Sequence, residues 1–201
     1  AEQAAVQAVH RRYADSARAA GVAVVPATAF YGGLADLLAT AAVGGWATVD
    51  EITVAVALDR WWPTPGTRRT GRRNTARRLV VRDGRLAPLP DPPPKGTWSF
   101  PDPFGLQQVV GQPFSEIITI AAHLRASTVD SLLNPAPLQD LHDPATPGPY
   151  AVDGSGRSAQ RFAVDVVARN GTSERRIAAV GRDVYAVTAP IVAEATSRIL
   201  D

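Results

Sequence analysis

The spacing of apolar residues changes along the chain, and each spacing predicts a different element. From Val6 to Ala17 apolar residues recur every three or four positions, which is typical of one helical face, and Gly21 ends that helix. Residues 22–25 read VAVV and are entirely apolar, which indicates a strand buried on both faces of a parallel sheet. A helix followed by a buried strand forms half of a βαβ unit.

The later patterns predict a second helix and then an antiparallel sheet. Residues 34–42 return to helical spacing, and residues 51–59 alternate apolar with polar, as in a half-buried strand. The Asp-Gly pair at 83–84 and the Asn-Gly pair at 170–171 each predict a hairpin turn. Thr188 begins a closing helix, with a proline in its first turn.

Three stretches carry weaker signals. We expect Ser115 to cap a helix that runs to about Leu124. The proline-rich stretches 88–103 and 134–149 are predicted to be loops. The fold class that follows is α+β, a mostly antiparallel sheet with flanking helices, preceded by the helix and strand left from a parallel α/β unit.

Composition excludes several classes of protein. The 201 residues are 45% hydrophobic and 20% charged, with a net charge of +2, so they predict a folded domain. No apolar run approaches the length of about 18 residues that crosses a bilayer, so we expect no membrane association and a cytoplasmic location. The absence of cysteine excludes disulfides and thiolate metal sites. We expect no metal site.

Glycine and arginine patterns suggest binding loops. Residues 154–159 match the string G-x-G-x-x-A, but a proline-rich stretch precedes them and an alternating strand follows, so we interpret them as a turn. The basic stretch 60–78 places arginines beside Trp61 and Trp62. This stretch could be a solvated loop, an anion pocket or a nucleic-acid contact. Of these three, the nucleic-acid contact is the least favoured, so we expect no nucleic-acid partner.

Candidate proton-transfer groups are few. Among the three histidines His123 is the best candidate, because it lies in an apolar stretch near Glu116 and Arg125. Tyr31 and Asp36 flank the predicted turn from strand to helix, where ligands bind in open α/β sheets. The alternative for Asp36 is stabilisation of the helix from its first turn, and the sequence slightly favours it.

Five strings together resemble bacterial saccharopine dehydrogenase-like proteins over nearly the whole length. The strings are VVP at 24–26, FYGGLADLLA at 30–39, WPTPGTR at 62–68, PFSE at 113–116 with HL at 123–124, and YAVTAP at 185–190. The resemblance implies that residues 1–33 are the distal end of a Rossmann-like nucleotide-binding domain. It further implies that 34–186 form an antiparallel substrate and dimerisation domain, and that 187–201 form a helix packing back on the first part.

The same resemblance implies a function. The chain is expected to be the substrate-binding and homodimer-forming part of an NAD(P)-dependent oxidoreductase, with NADP as cofactor and the Gly-rich fingerprint lying upstream. Arg68 is expected to hold an anionic group of a small-molecule substrate. The other expected site residues are Tyr31 and His123 as catalytic groups, with Phe30, Asp36, Trp61 and Trp62 as substrate-binding groups. A non-catalytic module that binds an anionic or lipid-like small molecule is the alternative.

Overall fold

A computed structural model describes residues 2–201. It contains six α-helices, a short π-helical turn and eight strands within that range. The helices are α1 Glu2–Ala20, α2 Ala35–Val43, α3 Pro65–Arg73, α4 Glu116–His123, α5 Ala136–His142 and α6 Thr188–Leu200, and the π-helical turn is Phe30–Leu34. The strands are β1 Val49–Leu58, β2 Leu79–Arg82, β3 Arg85–Pro88, β4 Lys95–Ser99, β5 Leu106–Gly111, β6 Ala126–Leu133, β7 Arg161–Asn170 and β8 Ser173–Arg182.

The strands form one mostly antiparallel sheet. Its main order is β3-β2-β6-β1-β7-β8, and β5 joins β6 while pairing with β4. Only β1 and β6 run parallel, from Val49 opposite Ala126 to Val56 opposite Leu133. All other strand pairs are antiparallel. The predicted mixed class with a mostly antiparallel sheet is therefore confirmed.

Strand β1 lies at the centre of this sheet and is more buried than its alternating sequence predicts. Helices cover one of its faces, and the β4-β5 hairpin covers the other. The second cluster is built on the small side chains of Ala55, Ala57 and Ala163, which leave room for Phe100 and Val109. Buried Asp165 accepts a hydrogen bond from Trp98 Nε1 at 2.8 Å, which fixes the hairpin to β7.

Two predicted turns and two predicted helices are confirmed. Asp83 and Gly84 both have positive φ, 51° and 69°, as a tight turn between β2 and β3 requires. Gly171 has a φ of 56° in the turn between β7 and β8. Helix α2 begins at Ala35 and α6 at Thr188, although no side chain caps either start. Ser115 precedes α4 as expected, but its side chain does not cap that helix.

The predicted buried strand at 22–25 is wrong. These residues form no strand and are exposed, with exposed fractions of 57%, 48% and 55% for Val22, Val24 and Val25. An apolar run becomes a buried strand only where neighbouring strands pair with it, and no described strand lies beside this run. Of the helix and strand that we expected from a parallel α/β unit at the start of the chain, only the helix, α1, is present.

The stretches predicted as loops contain regular elements. Strand β4 lies within 88–103, helix α5 within 134–149 and helix α3 within the basic stretch 60–78. Thr64 caps α3 by accepting a hydrogen bond from the Thr67 amide. In the described range 2–201, no helix combines the length and apolar content that crossing a membrane requires.

Candidate functional site

A cavity of about 290 Å³ opens beside the π-helical turn. Three segments far apart in sequence build it: the turn, one face of α3, and the chain around Phe114. Its lining residues are Glu2, Ala27, Ala29, Phe30, Tyr31, Gly32, Trp61, Thr67, Thr70, Gly71, Asn74, Arg78, Gln112, Phe114, Ser115, Leu141, Val184, Tyr185 and Thr188.

Aromatic rings form the main wall. Tyr31 stacks on Phe114 with ring centroids 4.0 Å apart and an interplanar angle of 22°. Phe30 meets the Tyr31 ring edge-on at 5.0 Å, and the Trp61 ring lies 5.9 Å from it. Such a wall favours a ligand with a flat or apolar body.

The glycines of the π-helical turn bring these rings into place. A Cβ at Gly32 would lie 2.2 Å from the carbonyl oxygen of Ala27, and one at Gly33 would lie 2.9 Å from the Thr28 carbonyl oxygen. The chain therefore folds back on itself only because residues 32 and 33 lack side chains. Phe30 and Tyr31 are positioned by this close approach.

The hydroxyl of Tyr185 connects the cavity wall to the start of α3. It accepts hydrogen bonds from Trp61 Nε1 and from the Thr64 amide, both at 3.3 Å. It also lies 3.0 Å from Thr67 Oγ1. Tyr185 thus holds Trp61 and the first turn of α3 in one arrangement.

Charged groups lie at one end of the cavity. The guanidinium of Arg78 donates to the Pro113 carbonyl and lies over the Phe114 ring, 5.1 Å from its centroid. Glu2 Oε1 accepts a hydrogen bond from Ser115 Oγ at 3.0 Å. Burial lowers the pKa of Arg78 and raises the pKa of Glu2, while each charge favours the ionised form of the other.

The Tyr31 hydroxyl lies within electrostatic range of Glu2 and Arg78. The hydroxyl is buried and has no hydrogen-bond partner among residues 2–201. Burial, helped by the negative charge of Glu2, raises the pKa of Tyr31 well above its ordinary value. The phenol is therefore neutral near pH 7, which makes it a hydrogen-bond donor.

A second carboxyl group, besides that of Glu2, is buried next to Phe114 of the aromatic wall. Glu116 is 1% exposed, and its Oε1 accepts a hydrogen bond from the Phe114 amide at 2.9 Å. Burial raises the pKa of Glu116 to about 7, although the Ser131 hydroxyl and the Phe114 amide oppose this rise. Glu116 thus titrates near neutral pH just outside the cavity.

The structure brings together part of the predicted site. Phe30, Tyr31 and Trp61 line the cavity. Arg68 does not, because its guanidinium is hydrogen-bonded to the carbonyls of Leu141 and Thr146 and holds α3 in place. Trp62 stacks on a Tyr150 ring 5.0 Å away instead of facing the cavity.

The expected catalytic histidine lies elsewhere. His123 Nε2 is 2.8 Å from Asp36 Oδ1, and neither residue lines the cavity. Burial raises the pKa of Asp36, and the hydrogen bond from His123 opposes that rise. Helices α2 and α4 pack side by side, so this pair joins two helices. His123, which we expected as a catalytic group, is therefore not brought together with Tyr31.

Sequence reasoning missed four functional candidates, namely Glu2, Arg78, Phe114 and Tyr185. Arg78 lies in the basic stretch, and Phe114 and Tyr185 lie in strings that carry the family resemblance. Nothing in their local patterns separates them from ordinary surface or core residues. Glu2 has no sequence signal at all.

The described residues do not offer a dinucleotide cradle. Residues 154–159 lie in an irregular segment before β7 that is exposed except at Ser158, with a turn where Ser155 donates its amide to Asp153. The interpretation of this string as a turn is confirmed. A pyrophosphate site needs a strand, a Gly-rich turn and a helix N-terminus in succession, and this segment has neither flanking element.

Comparison with known proteins gives no relative from which a function could be inferred. No family model matches the chain, and a search of the curated proteins finds no match.

Proposed function

We propose that the cavity binds a small substrate with a flat apolar body and a carbonyl or carboxylate oxygen. In this proposal the chain is the substrate-binding and homodimer-forming part of a cytoplasmic NAD(P)-dependent oxidoreductase of the saccharopine dehydrogenase-like type. The observation that supports it is the Tyr31–Phe114 ring stack, which lies directly beside the Arg78 guanidinium. An apolar surface next to a few convergent polar groups is typical of small-molecule sites.

Arg78 is the residue best suited to receive the substrate oxygen. One of its nitrogens donates to Pro113, and its Nε and Nη2 make no hydrogen bond to any described residue. A partly buried guanidinium with free donors binds carbonyl or carboxylate oxygens strongly, because water competes poorly there. Glu2 at the same end disfavours a substrate that carries more than one negative charge.

The neutral phenol of Tyr31 suits donation to the same oxygen. Its buried hydroxyl has no partner among residues 2–201 and interacts electrostatically with Glu2 and Arg78. A hydrogen-bond donor at that position would stabilise negative charge that develops on a substrate oxygen. Tyr31 therefore keeps its expected catalytic role in this proposal, while His123 loses its own.

The expected NADP does not fit the described residues. Neither residues 154–159 nor another described segment combines strand, Gly-rich turn and helix. The dinucleotide would supply the hydride, and its phosphates would be held by residues outside this sequence. We therefore derive no catalytic step through the cofactor, and we assign to this chain only the binding and polarisation of substrate.

The binding part of the proposal is tested with 8-anilinonaphthalene-1-sulfonate, a flat apolar anion whose fluorescence rises on binding. We expect Arg78→Met to weaken its binding about tenfold, the loss typical of one charge-assisted hydrogen bond. Arg77→Met is the matched control, because Arg77 is exposed and outside the cavity. Equal affinities for the two variants would overturn the assignment of Arg78.

The oxidoreductase part is tested by sequencing the gene upstream of the codon for residue 1. A continuous reading frame that encodes a strand, a G-x-G-x-x-G turn and a helix supports it. A start codon at that point would contradict it.

One observation favours a second candidate. The expected proton-transfer residue His123 lies outside the cavity, paired with Asp36. A non-catalytic module that binds an anionic or lipid-like molecule would need no such group. This candidate predicts binding of the fluorescent probe with no reading frame for a nucleotide-binding unit upstream, whereas the oxidoreductase predicts both.

A further inference from the structure

The two outer edges of the main sheet differ in how well they are protected. Strand β3 has four residues and ends at Pro88, which has no amide hydrogen to offer. Strand β8, Ser173–Arg182, has ten residues and no proline. No described residue outside β7 forms a hydrogen bond to its backbone. A long edge strand without proline, whose outer backbone groups have no partner, is a template for another strand.

The register of the β7-β8 hairpin decides which residues face that edge. Asn170 and Ser173 close a two-residue turn and form the first hydrogen-bonded pair. In an antiparallel pair, hydrogen-bonded residues alternate with residues whose amide and carbonyl point away from the partner strand. Every second residue from Glu174 to Arg182 therefore directs its backbone outward.

We propose that two copies of this chain pair through β8, antiparallel, about a two-fold axis at Ala178. The proposal names the surface for the dimer-forming part of the proposed function and rests on that part, but it is independent of the cavity and its ligand. The partner is a second copy because the strand is self-complementary. With Ala178 opposite itself, Glu174 of each copy lies opposite Arg182 of the other.

The four nearest registers, centred on residues 176, 177, 179 and 180, form no opposite-charge pair between β8 residues. Centring the pair on Arg176 places two arginines directly opposite each other, which is destabilising. Centring it on Val180 removes the opposite-charge pairs. In the Ala178 register, half-exposed Val180 lies opposite Arg176 and packs against its aliphatic stem.

The side chains leave this pairing open. Glu174, Arg176, Ala178 and Val180 are all exposed. Glu174 already pairs with Arg169 at 2.9 Å, and Arg182 with Asp153 at 2.8 Å, both on the surface. The cross-copy pairs extend these existing ion pairs into networks.

The absence of cysteine allows a direct test. A thiol at the two-fold axis faces its own copy at about 5.5 Å between Cα atoms, within the range for a disulfide. We expect Ala178→Cys to form a covalent dimer on mild oxidation, about tenfold more than Ser173→Cys. Residue 173 is the matched control, since in this register its two copies lie about 30 Å apart.

Sedimentation equilibrium of the cysteine-free chain separates the outcomes. A dimer with selective cross-linking at residue 178 supports the proposal. A dimer that cross-links equally at 173 and 178, or at neither, overturns the β8 interface while the dimer itself stands. A monomer at about 100 μM overturns both the interface and the dimer-forming part of the proposed function, and it leaves binding of the fluorescent probe to report on the cavity separately.

Charge reversal gives a second readout that does not depend on thiol chemistry. We expect Glu174→Arg to weaken dimerisation about tenfold and the added Arg182→Glu to restore it, because the two positions face each other across the interface. Glu194→Arg on α6 is the control and leaves dimerisation unchanged. Failure of the second change to restore the dimer would contradict the register.

Discussion

Asn134 is a buried amide that joins the ends of two strands. Its Nδ2 donates to the Leu58 carbonyl at 2.9 Å, and its Oδ1 accepts from the Leu58 amide at 3.0 Å. The Asn134 side chain thereby continues the hydrogen bonding between β1 and β6 by one residue beyond the end of the two strands. Because both Leu58 backbone groups are buried, they depend on this partner.

We expect Asn134→Ala to lower the free energy of unfolding by about 3 kcal/mol, since it leaves one buried donor and one buried acceptor unpaired. Urea denaturation measures the change. Asn170→Ala is the control, because the side chain of Asn170 makes a single exposed hydrogen bond, to the Thr48 carbonyl, and its loss should cost under about 1 kcal/mol. Similar losses in both variants would contradict the role given to Asn134.

Glu116 makes stability depend on pH. Its pKa is raised from 4.5 to about 7, with Glu2 the carboxylate facing it and Ser131 the hydroxyl. The folded state therefore holds a proton that the unfolded state releases. The stabilisation is complete below about pH 4.5 and is lost as the pH rises through about 7.

For Glu116→Gln we expect a gain over the parent protein that grows by about 2 kcal/mol between pH 5 and pH 8. Thermal or urea unfolding across this range measures it. Glu194→Gln, which alters an exposed carboxylate on α6, should follow the parent at every pH. A pH-independent effect of Glu116→Gln would show that its pKa is ordinary.

At the scale of elements, strand β8 is shaped to lie under an aromatic ring. A Cβ at Gly181 would lie 2.5 Å from Cζ of Phe162, its partner on β7. Phe162 in turn meets Phe30 edge-on at 4.8 Å, so this contact reaches the cavity wall. Glycine is needed at position 181 to make room for the Phe162 ring, and not for an unusual backbone conformation.

We expect Gly181→Ala to lower the free energy of unfolding by about 2 kcal/mol, because the ring must move within a packed core. Gly96→Ala in β4 is the control, since nothing lies within 4 Å of its added Cβ, and it should raise stability by about 0.5 kcal/mol. Chemical denaturation measures the free energy of unfolding of both variants. A gain in stability for Gly181→Ala like that of Gly96→Ala would show that the Phe162 ring does not need this space.

One apolar segment of the molecule, residues 22–25, is not packed in the hydrophobic core. Residues 22–25 connect α1 to the π-helical turn and are exposed although they are apolar. Helix α1 is nevertheless attached to the sheet, because Gln3 forms hydrogen bonds with Leu79 and Phe114. The sheet therefore does not rely on this segment for its burial.

Replacing Val22, Val24 and Val25 together by serine should change the free energy of unfolding by less than about 1 kcal/mol, the range of surface substitutions. Val54→Ala in β1 provides the contrast, because Val54 is fully buried and should cost about 2 kcal/mol. A loss in the triple variant as large as that of Val54→Ala would mean that the segment is packed in solution.

Local chemistry alone determined several parts of this protein. The turns at Asp83 and Gly171 follow from residues that accept positive φ, and α2 and α6 follow from helical spacing. Phe30 and Tyr31 occur in a family-like string, and Trp61 directly precedes another. These features depend on a residue and its near neighbours, so the sequence carries them directly.

The remaining features depend on contacts between segments that are distant in sequence. Burial of β1 on both faces depends on a hairpin about fifty residues away, and the exposure of residues 22–25 depends on the lack of a described partner strand. His123 lies with Asp36 because α2 and α4 pack together, whereas Arg78 and Glu2 meet at the cavity. Contacts between distant segments leave no periodic trace in the sequence, so no local pattern predicts them.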